Sequence, residues 1–290
     1  MENLSNIRVI KELLSRHGFT FSKAMGQNFL INPSVCPRMA SLSGAKKGVG
    51  VLEIGPGIGV LTNELLKLSD KVVAVELDDR LIPVLSETLS EYDHFKLISA
   101  DILKLDLNQL IKEEFADFEE VVVCANLPYY ITSPVIMKLL EDRLPVSSIT
   151  VMVQKEAAER LCARDGTRES SAITVAVRYF SEPEMLFGVS RGSFMPSPNV
   201  DSAVIRLNLR EPRFGVKDEK TFFKVVKAAF AQRRKTILNS ISSSLSLDKK
   251  SVSDILRKAG IDEKLRAERL TVSDFAKISN AFTDSGVEPT

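Results

Sequence analysis

The chain has 290 residues, room for one large domain and a small one. It is 44% hydrophobic and 27% charged, the balance of an ordinary globular protein, and no apolar run approaches the ~18 residues of a membrane span. A net charge of +1 gives no overall attraction for polyanions, so any nucleic-acid surface has to be local.

The first nineteen residues mix apolar and charged side chains at helical spacing. They lack the apolar block of a signal peptide, which predicts a cytoplasmic protein. Cys36, Cys124 and Cys162 are scattered and form no CxxC pair, so neither a disulfide framework nor a zinc site is expected, and Cys124 reads as a small core residue. His17 and His94 stand outside every motif, which disfavours metal and Ser–His chemistry.

Residues 50–54, 72–77, 95–100, 120–125 and 149–153 are short runs rich in Val and Ile, as in buried parallel strands. Helical patterns at 59–69, 80–90, 104–115 and 133–141 separate them. The alternation predicts a doubly wound α/β sheet. Further strands are expected near 185–190 and at 202–209, where apolar and polar residues alternate as in an antiparallel edge or hairpin strand. After residue 210 the pattern is helical, at 219–231, 234–244, 251–259 and 271–282. The expected organisation is a Rossmann-like α/β domain over 1–210 and a small all-helical domain over 211–290.

Glu53-Ile-Gly-Pro-Gly-Ile-Gly59 follows the first predicted strand of the sheet and opens a helix. Gly55, Gly57 and Gly59 allow a tight turn and a close ligand approach; without a ligand they make a plain strand–helix turn. Their GxGxG spacing suits the amino-acid and ribose parts of S-adenosylmethionine better than a pyrophosphate. Glu76 ends the second of these strands, where a carboxylate can accept from ribose hydroxyls, and Asp78 suits a helix cap. Asp101 ends the third and can accept from the adenine amine, with Ile102 packing on the ring; strand-end acids such as these also suit helix caps.

Asn126-Leu-Pro-Tyr129 follows the fourth. The Asn126 side chain and the Leu127 carbonyl can accept both hydrogens of an adenine N6. Pro128 stiffens the turn, and Tyr129 offers a stacking face for an extruded base. Read blandly, it is a strand–turn–helix junction. Tyr130 suits either core or site, and Phe194 either the core or a second stacking ring. Between 206 and 235 ten Lys or Arg face three acids, which suits phosphate contacts or a solvated helix face equally.

These segments resemble the bacterial small-subunit (16S) ribosomal RNA adenine N6,N6-dimethyltransferases, and more distantly the large-subunit adenine methyltransferases of macrolide resistance. The resemblance covers nearly the whole chain. It includes Gly26-Gln-Asn-Phe-Leu30, Glu53 to Gly59, Val75 to Asp78, Asn126 to Thr132, Gln154-Lys-Glu156, Phe194 to Val204, Phe230 to Asn239 and Arg266-Ala-Glu268. The Gln232-Arg-Arg-Lys-Thr236 helix favours the small-subunit branch.

The resemblance implies dimethylation of two adjacent adenines in a hairpin near the 3′ end of 16S rRNA, on an immature small subunit, with S-adenosylhomocysteine as product. It implies that Asn28, Leu30, Gly55, Glu76, Asp101 and Asn126 contact the cofactor. Asn28 otherwise suits a helix cap before Pro33 or a plain loop position. Tyr129, Phe194, Arg233, Arg234 and Lys235 are then expected on the RNA, with no metal, no membrane and a monomeric enzyme. The stretch Arg164 to Ser171 departs from the usual Pro-Gly and Tyr-Gly loop. The competing readings are a 23S rRNA methyltransferase, an RNA-binding assembly factor with little catalysis, and a protein or DNA amino-methyltransferase. The last commonly carries Pro-Pro-Tyr where this chain has Leu127-Pro128.

Overall fold

The computed structural model describes residues 4–18 and 28–287. They fall into two compact units, drawn from Met1–Ala158 with Glu184–Leu209 and from Glu159–Pro183 with Arg210–Thr290. The sequence expectation draws a single boundary at 210/211; the packing gives the second unit the additional stretch Glu159–Pro183.

In chain order the elements are α1 (Ile7–Arg16), β1 (Phe29–Leu30), α2 (Val35–Leu42), β2 (Val49–Ile54), α3 (Val60–Leu66), β3 (Lys71–Glu76), α4 (Leu81–Thr88), β4 (Phe95–Ser99), α5 (Leu107–Glu114), β5 (Glu120–Asn126), α6 (Thr132–Glu141) and β6 (Ser148–Gln154). There follow α7 (Lys155–Cys162), α8 (Ala172–Phe180), β7 (Ser181–Val189), β8 (Phe194–Met195) and β9 (Ser202–Leu209).

Seven strands form one sheet in the order β4-β3-β2-β5-β6-β9-β7. The pairs from β4 through β6 are parallel, and β9 runs antiparallel to β6 from Gln154↔Ser202 to Ser148↔Asn208. Every residue of β2 is buried, as expected of a central parallel strand covered on both faces. β9 is antiparallel as expected, but it is not an edge. β7 lies beyond it, which is why Ser202 to Ile205 are all buried. β1 and β8 form a separate two-stranded ladder, Phe29↔Met195 and Leu30↔Phe194. It joins two of the segments that carry the resemblance, Gly26 to Leu30 and Phe194 to Val204, through their described residues.

The second unit adds α9 (Glu219–Phe230), α10 (Ile237–Ser244), α11 (Lys249–Lys258) and α12 (Val272–Ser285) to α8. Its centre is aromatic: the Tyr179 ring stacks on Phe222 at 4.7 Å, and Phe180 stacks on Phe223 at 5.5 Å. The divergent 164–171 loop has a structural use here. The Asp165 carboxylate accepts from Val272 N–H at 2.9 Å, at the start of α12, and Ser171 with Thr174 forms a capping box for α8. Arg233, Arg234 and Lys235 lie in a turn between α9 and α10, not in a helix as the sequence suggested. Thr236 caps α10 by accepting from Asn239 N–H, so the helix starts only after the basic triplet.

Candidate active site

β2 and β5 are adjacent parallel strands, paired up to Ile54↔Ala125. The next residue on each is Gly55 and Asn126. Two motifs about seventy residues apart in sequence therefore leave the same sheet edge side by side. Strand order reverses between β2 and β5, and ligands of open α/β sheets bind at the carboxyl end of such a reversal. A cavity of about 130 Å³ opens there, lined among others by Asn28, Leu30, Glu53, Gly55, Asn126 and Tyr129.

On the β2 side, Gly55 and Gly57 have φ of 69° and 60°, a left-handed backbone. A side chain built on either would meet nothing within 4 Å, so space stands over both. Gly55 N–H donates to Val75 O at 3.0 Å, holding the turn against the end of β3. There the Glu76 carboxylate is itself buried. It accepts from Leu77 N–H and Asp78 N–H at 3.0 Å and, more weakly, from Gly57 N–H at 3.3 Å. Burial raises its pKa, against those three donors. Asp78 instead takes a bidentate Arg80 at 2.8 and 2.7 Å and the Arg80 N–H, at the approach to α4.

Asp101 does not line the cavity. It accepts from Leu103 N–H at 3.0 Å in the turn after β4, with Lys104 Nζ at 3.6 Å. Ile102 is buried, while Leu77, beside Glu76, is 64% exposed. The sequence reading missed Leu77. The available signal was its position directly after a strand-end carboxylate.

On the β5 side, Asn126, Leu127, Pro128 and Tyr129 all line the cavity. Among the described residues the Asn126 amide has no side-chain hydrogen bond, whereas Leu127 is buried and anchors the turn. Pro128 has extended ψ (133°) and leads into a single 3₁₀ turn, Tyr129–Ile131. The Tyr129 hydroxyl lies 2.7 Å from Ser202 Oγ at the start of β9. Burial raises its pKa, and the Ser202 bond opposes the rise. Phe194 is 4% exposed and packs in the core, as one of its two expected settings has it, and it also lines the cavity. Asn28 leads into β1, and the cap before Pro33 is absent: Asn32, not Asn28, accepts from Ser34 N–H ahead of α2. Gly26 and Gln27 lie outside the described residues.

A family model described as ribosomal RNA adenine dimethylase matches residues 18–284. The chain belongs to this family. It is 49% identical over 276 residues to the ribosomal RNA small subunit methyltransferase A of Geobacillus thermodenitrificans, covering 94% of each chain. It is 48% identical to the protein of that name from Anoxybacillus flavithermus, over 93% of this chain and 92% of the relative. Among solved structures it is similar to a dimethyladenosine transferase from Plasmodium falciparum (TM-score 0.73, 28% identity, 90% of this chain and 99% of that one). It is also similar to the 23S rRNA methyltransferase ErmE (TM-score 0.65, 26% identity, 88% and 100%).

The cavity of this adenine dimethylase fits a methyl donor such as S-adenosylmethionine in three respects. It has open space over two glycines, a buried carboxylate at the end of β3, and an unpartnered amide facing it from β5. It holds a fourth group that the sequence reading did not single out. Both oxygens of the Glu53 carboxyl are buried and make no hydrogen bond. Burial pushes its pKa up to about 8; the nearby Thr62 hydroxyl, outside bonding geometry, favours the charge, and Glu76 disfavours it. Burial therefore favours the protonated, neutral form of Glu53. Burial also raises the Cys36 and Cys124 thiols, as befits core residues.

The remaining expected residues lie elsewhere. Arg233, Arg234 and Lys235 belong to the second unit, are exposed, and form no ion pair among the described residues. The wider basic stretch is not uniformly available. Arg206 bonds Leu42 O and Glu184 at 3.2 and 2.8 Å, and Lys217 bonds Asp284 at 2.6 Å. His17 bonds Glu87 and His94 bonds Leu66 O, and neither lines the cavity. No helix among the described residues is long and apolar enough to cross a membrane.

Proposed function

We propose that this enzyme methylates N6 of two adjacent adenines, each twice, in a hairpin near the 3′ end of 16S rRNA, acting as a monomer on an immature small subunit in the cytoplasm. The observation that carries this reading is the adjacency of Gly55 and Asn126 at the ends of paired strands. Relatives at 48–49% identity are named for the small subunit, whereas the large-subunit enzyme ErmE stands at 26%, which favours the small-subunit substrate.

When bound, S-adenosylmethionine supplies a methyl group on a sulfonium and leaves as S-adenosylhomocysteine. The protein's part is placement. Gly55 and Gly57 admit the amino-acid and ribose portions, with Asn28 and Leu30 closing from β1. A carboxylate has about four acceptor positions, and three main-chain donors already occupy Glu76. It keeps room for one ribose hydroxyl, and for a second if the long Gly57 bond yields. Leu77 and Asp101, just after β3 and β4, would hold the adenine of the bound donor.

At the acceptor, the Asn126 side-chain oxygen and the Leu127 carbonyl accept the two N6 hydrogens and aim the nitrogen lone pair. Tyr129 and Phe194 hold the extruded base. Such positioning alone is worth up to ~7–11 kcal/mol in favourable cases. The N6 proton turns acidic as the C–N bond forms and passes to solvent, so no buried base is needed. Arg233, Arg234 and Lys235 hold RNA phosphates. The reading is tested by labelled methyl transfer onto undermethylated small subunits and mapping of the modified bases. Label in two neighbouring adenines of the 3′ hairpin is expected; label elsewhere, or none, overturns it.

A further inference from the structure

Six large apolar side chains are exposed among the described residues. Four of them, Leu77, Leu103, Tyr130 and Val200, stand on loops at the carboxyl edge of the parallel sheet, after β3, β4 and β5 and before β9. Leu77 and Leu103 flank the donor side. Tyr130 and Val200 flank the acceptor side, and the donor site does not account for them.

Tyr130 is the most exposed of the six, at 69%, and forms no hydrogen bond or ring pair with another described side chain. It shares a 3₁₀ turn with Tyr129, whose phenol is tied inward to Ser202, so successive side chains of that turn point apart. The residues beside Ser202 carry more of the same surface. Asp201 O accepts from Lys155 N–H at 2.9 Å, and the Asp201 carboxylate accepts from Arg191 N–H at 2.9 Å. Both basic side chains are exposed and form no ion pair among the described residues. Three consecutive positions, 200 to 202, thus tie together the Tyr129 ring, an exposed apolar side chain and the main chain of two exposed basic residues. An exposed ring and exposed basic residues on neighbouring loops of one sheet edge make the pattern of a single-strand nucleic-acid surface.

We propose that Tyr130 is a second stacking face, which receives the base next to the target adenine while Lys155 and Arg191 hold the phosphates beside it. This rests on the RNA-methylation reading above. Extruding one base breaks its stack with the neighbour, and a ring at the cavity mouth restores a stacking partner. When the target is one of two adjacent adenines, that neighbour is itself a purine, the larger surface. Tyr130 then serves substrate binding, and the transfer step depends on Asn126 and Tyr129.

The test is steady-state methylation of undermethylated small subunits by Tyr130→Ala and Tyr130→Trp, with melting temperature as a control. Tyr130→Ala is expected to raise KM by about tenfold or more, the size of one base–aromatic stack, with kcat and melting temperature unchanged. Tyr130→Trp should restore KM. Replacing Lys155 and Arg191 together by Ala should reduce the salt dependence of KM, by about 0.7 in logarithmic slope for each phosphate released. Binding of a hairpin with 2-aminopurine beside the target should quench its fluorescence with the native protein and not with Tyr130→Ala. An unchanged KM in a normally folded Tyr130→Ala, or equal quenching by both proteins, overturns the stack and leaves the function standing. A native enzyme that methylates no ribosomal RNA overturns the function, and the stack with it.

Discussion

The Tyr129 hydroxyl and Ser202 Oγ lie 2.7 Å apart, one on the turn after β5 and the other at the start of β9. The bond spans the strand between them, β6, and fixes the plane of a ring at the cavity wall. Proximity catalysis is sensitive to such fixing, because a misplaced base loses rate without losing affinity. Tyr129→Phe and Ser202→Ala should each lower kcat by about tenfold and change KM little. The double variant should be no worse than either single one, since both break one bond. Additive losses in single-turnover methylation would assign the two residues separate roles.

Glu53 gives the protein a pH signature. Its pKa in the folded protein is about 8, above the ordinary 4.5, so the folded state holds a proton that the unfolded chain releases between those values. The stabilising contribution is complete below pH 4.5 and is lost as pH rises through 8. Glu53→Gln keeps the shape without the titration. The native protein should therefore lose stability relative to Glu53→Gln between pH 5 and 8, by on the order of a few kcal/mol. Urea unfolding at both pH values checks this; parallel profiles would show that Glu53 ionises normally.

Much of this fold was legible because its signals are local. The Val- and Ile-rich runs became β2 to β6, and the three glycines took the left-handed turn that their spacing demands. What stayed hidden depends on partners far along the chain. β1 and β8 are two residues each and exist only through their mutual pairing. α8 reads AITVAVRYF, β-branched and aromatic, yet it is helical because its apolar side chains pack into the core of the second unit. α2 was obscured by Pro37, which sits in the first turn, where a missing N–H costs little. At the site, the motif residues were legible. The isolation of the Glu53 carboxyl and the exposure of Leu77 and Tyr130 were not, since burial is a property of the assembled neighbours.

Glu76 is placed to couple the glycine turn to the donor. Its carboxylate holds Gly57 as well as Leu77 and Asp78, so Glu76→Ala should loosen the turn and remove the ribose acceptor together. Glu76→Gln keeps one acceptor oxygen but turns its NH2 against the main-chain donors that the other oxygen served, either Gly57 or Leu77 with Asp78. Both variants should bind S-adenosylmethionine at least ~10-fold more weakly by calorimetry, as expected when one or two hydrogen bonds to a charged group are removed. Unchanged affinity would remove Glu76 from the site.

Gly50, inside β2, is a packing requirement of a different kind. A side chain there would strike the Phe115 ring, which closes α5. Gly50→Ala should therefore destabilise the protein by about 1–3 kcal/mol, the usual range for overpacking, despite the better strand propensity of alanine. Denaturant unfolding reads the loss directly. Adding Phe115→Leu, which shortens the obstructing side chain, should recover part of it, and a double variant less stable than the sum of the two would rule out the clash.

The basic turn can be told apart from the rest of the basic stretch by salt. Arg233, Arg234 and Lys235 are exposed and unneutralised among the described residues, whereas Arg206 is held by Glu184 and a main-chain carbonyl. If the triplet holds phosphates, replacing all three by Ala should flatten the dependence of log binding constant on log salt, by about 0.7–0.9 for each phosphate no longer neutralised. Arg206→Ala should leave that slope alone and lower stability instead, because it strips Glu184 of a partnered charge. Filter binding of small-subunit RNA across a salt series separates the two. A triplet variant with the native slope would leave the triplet no role in holding phosphates, since a phosphate that the protein ceases to neutralise keeps its counterions and must change the number released.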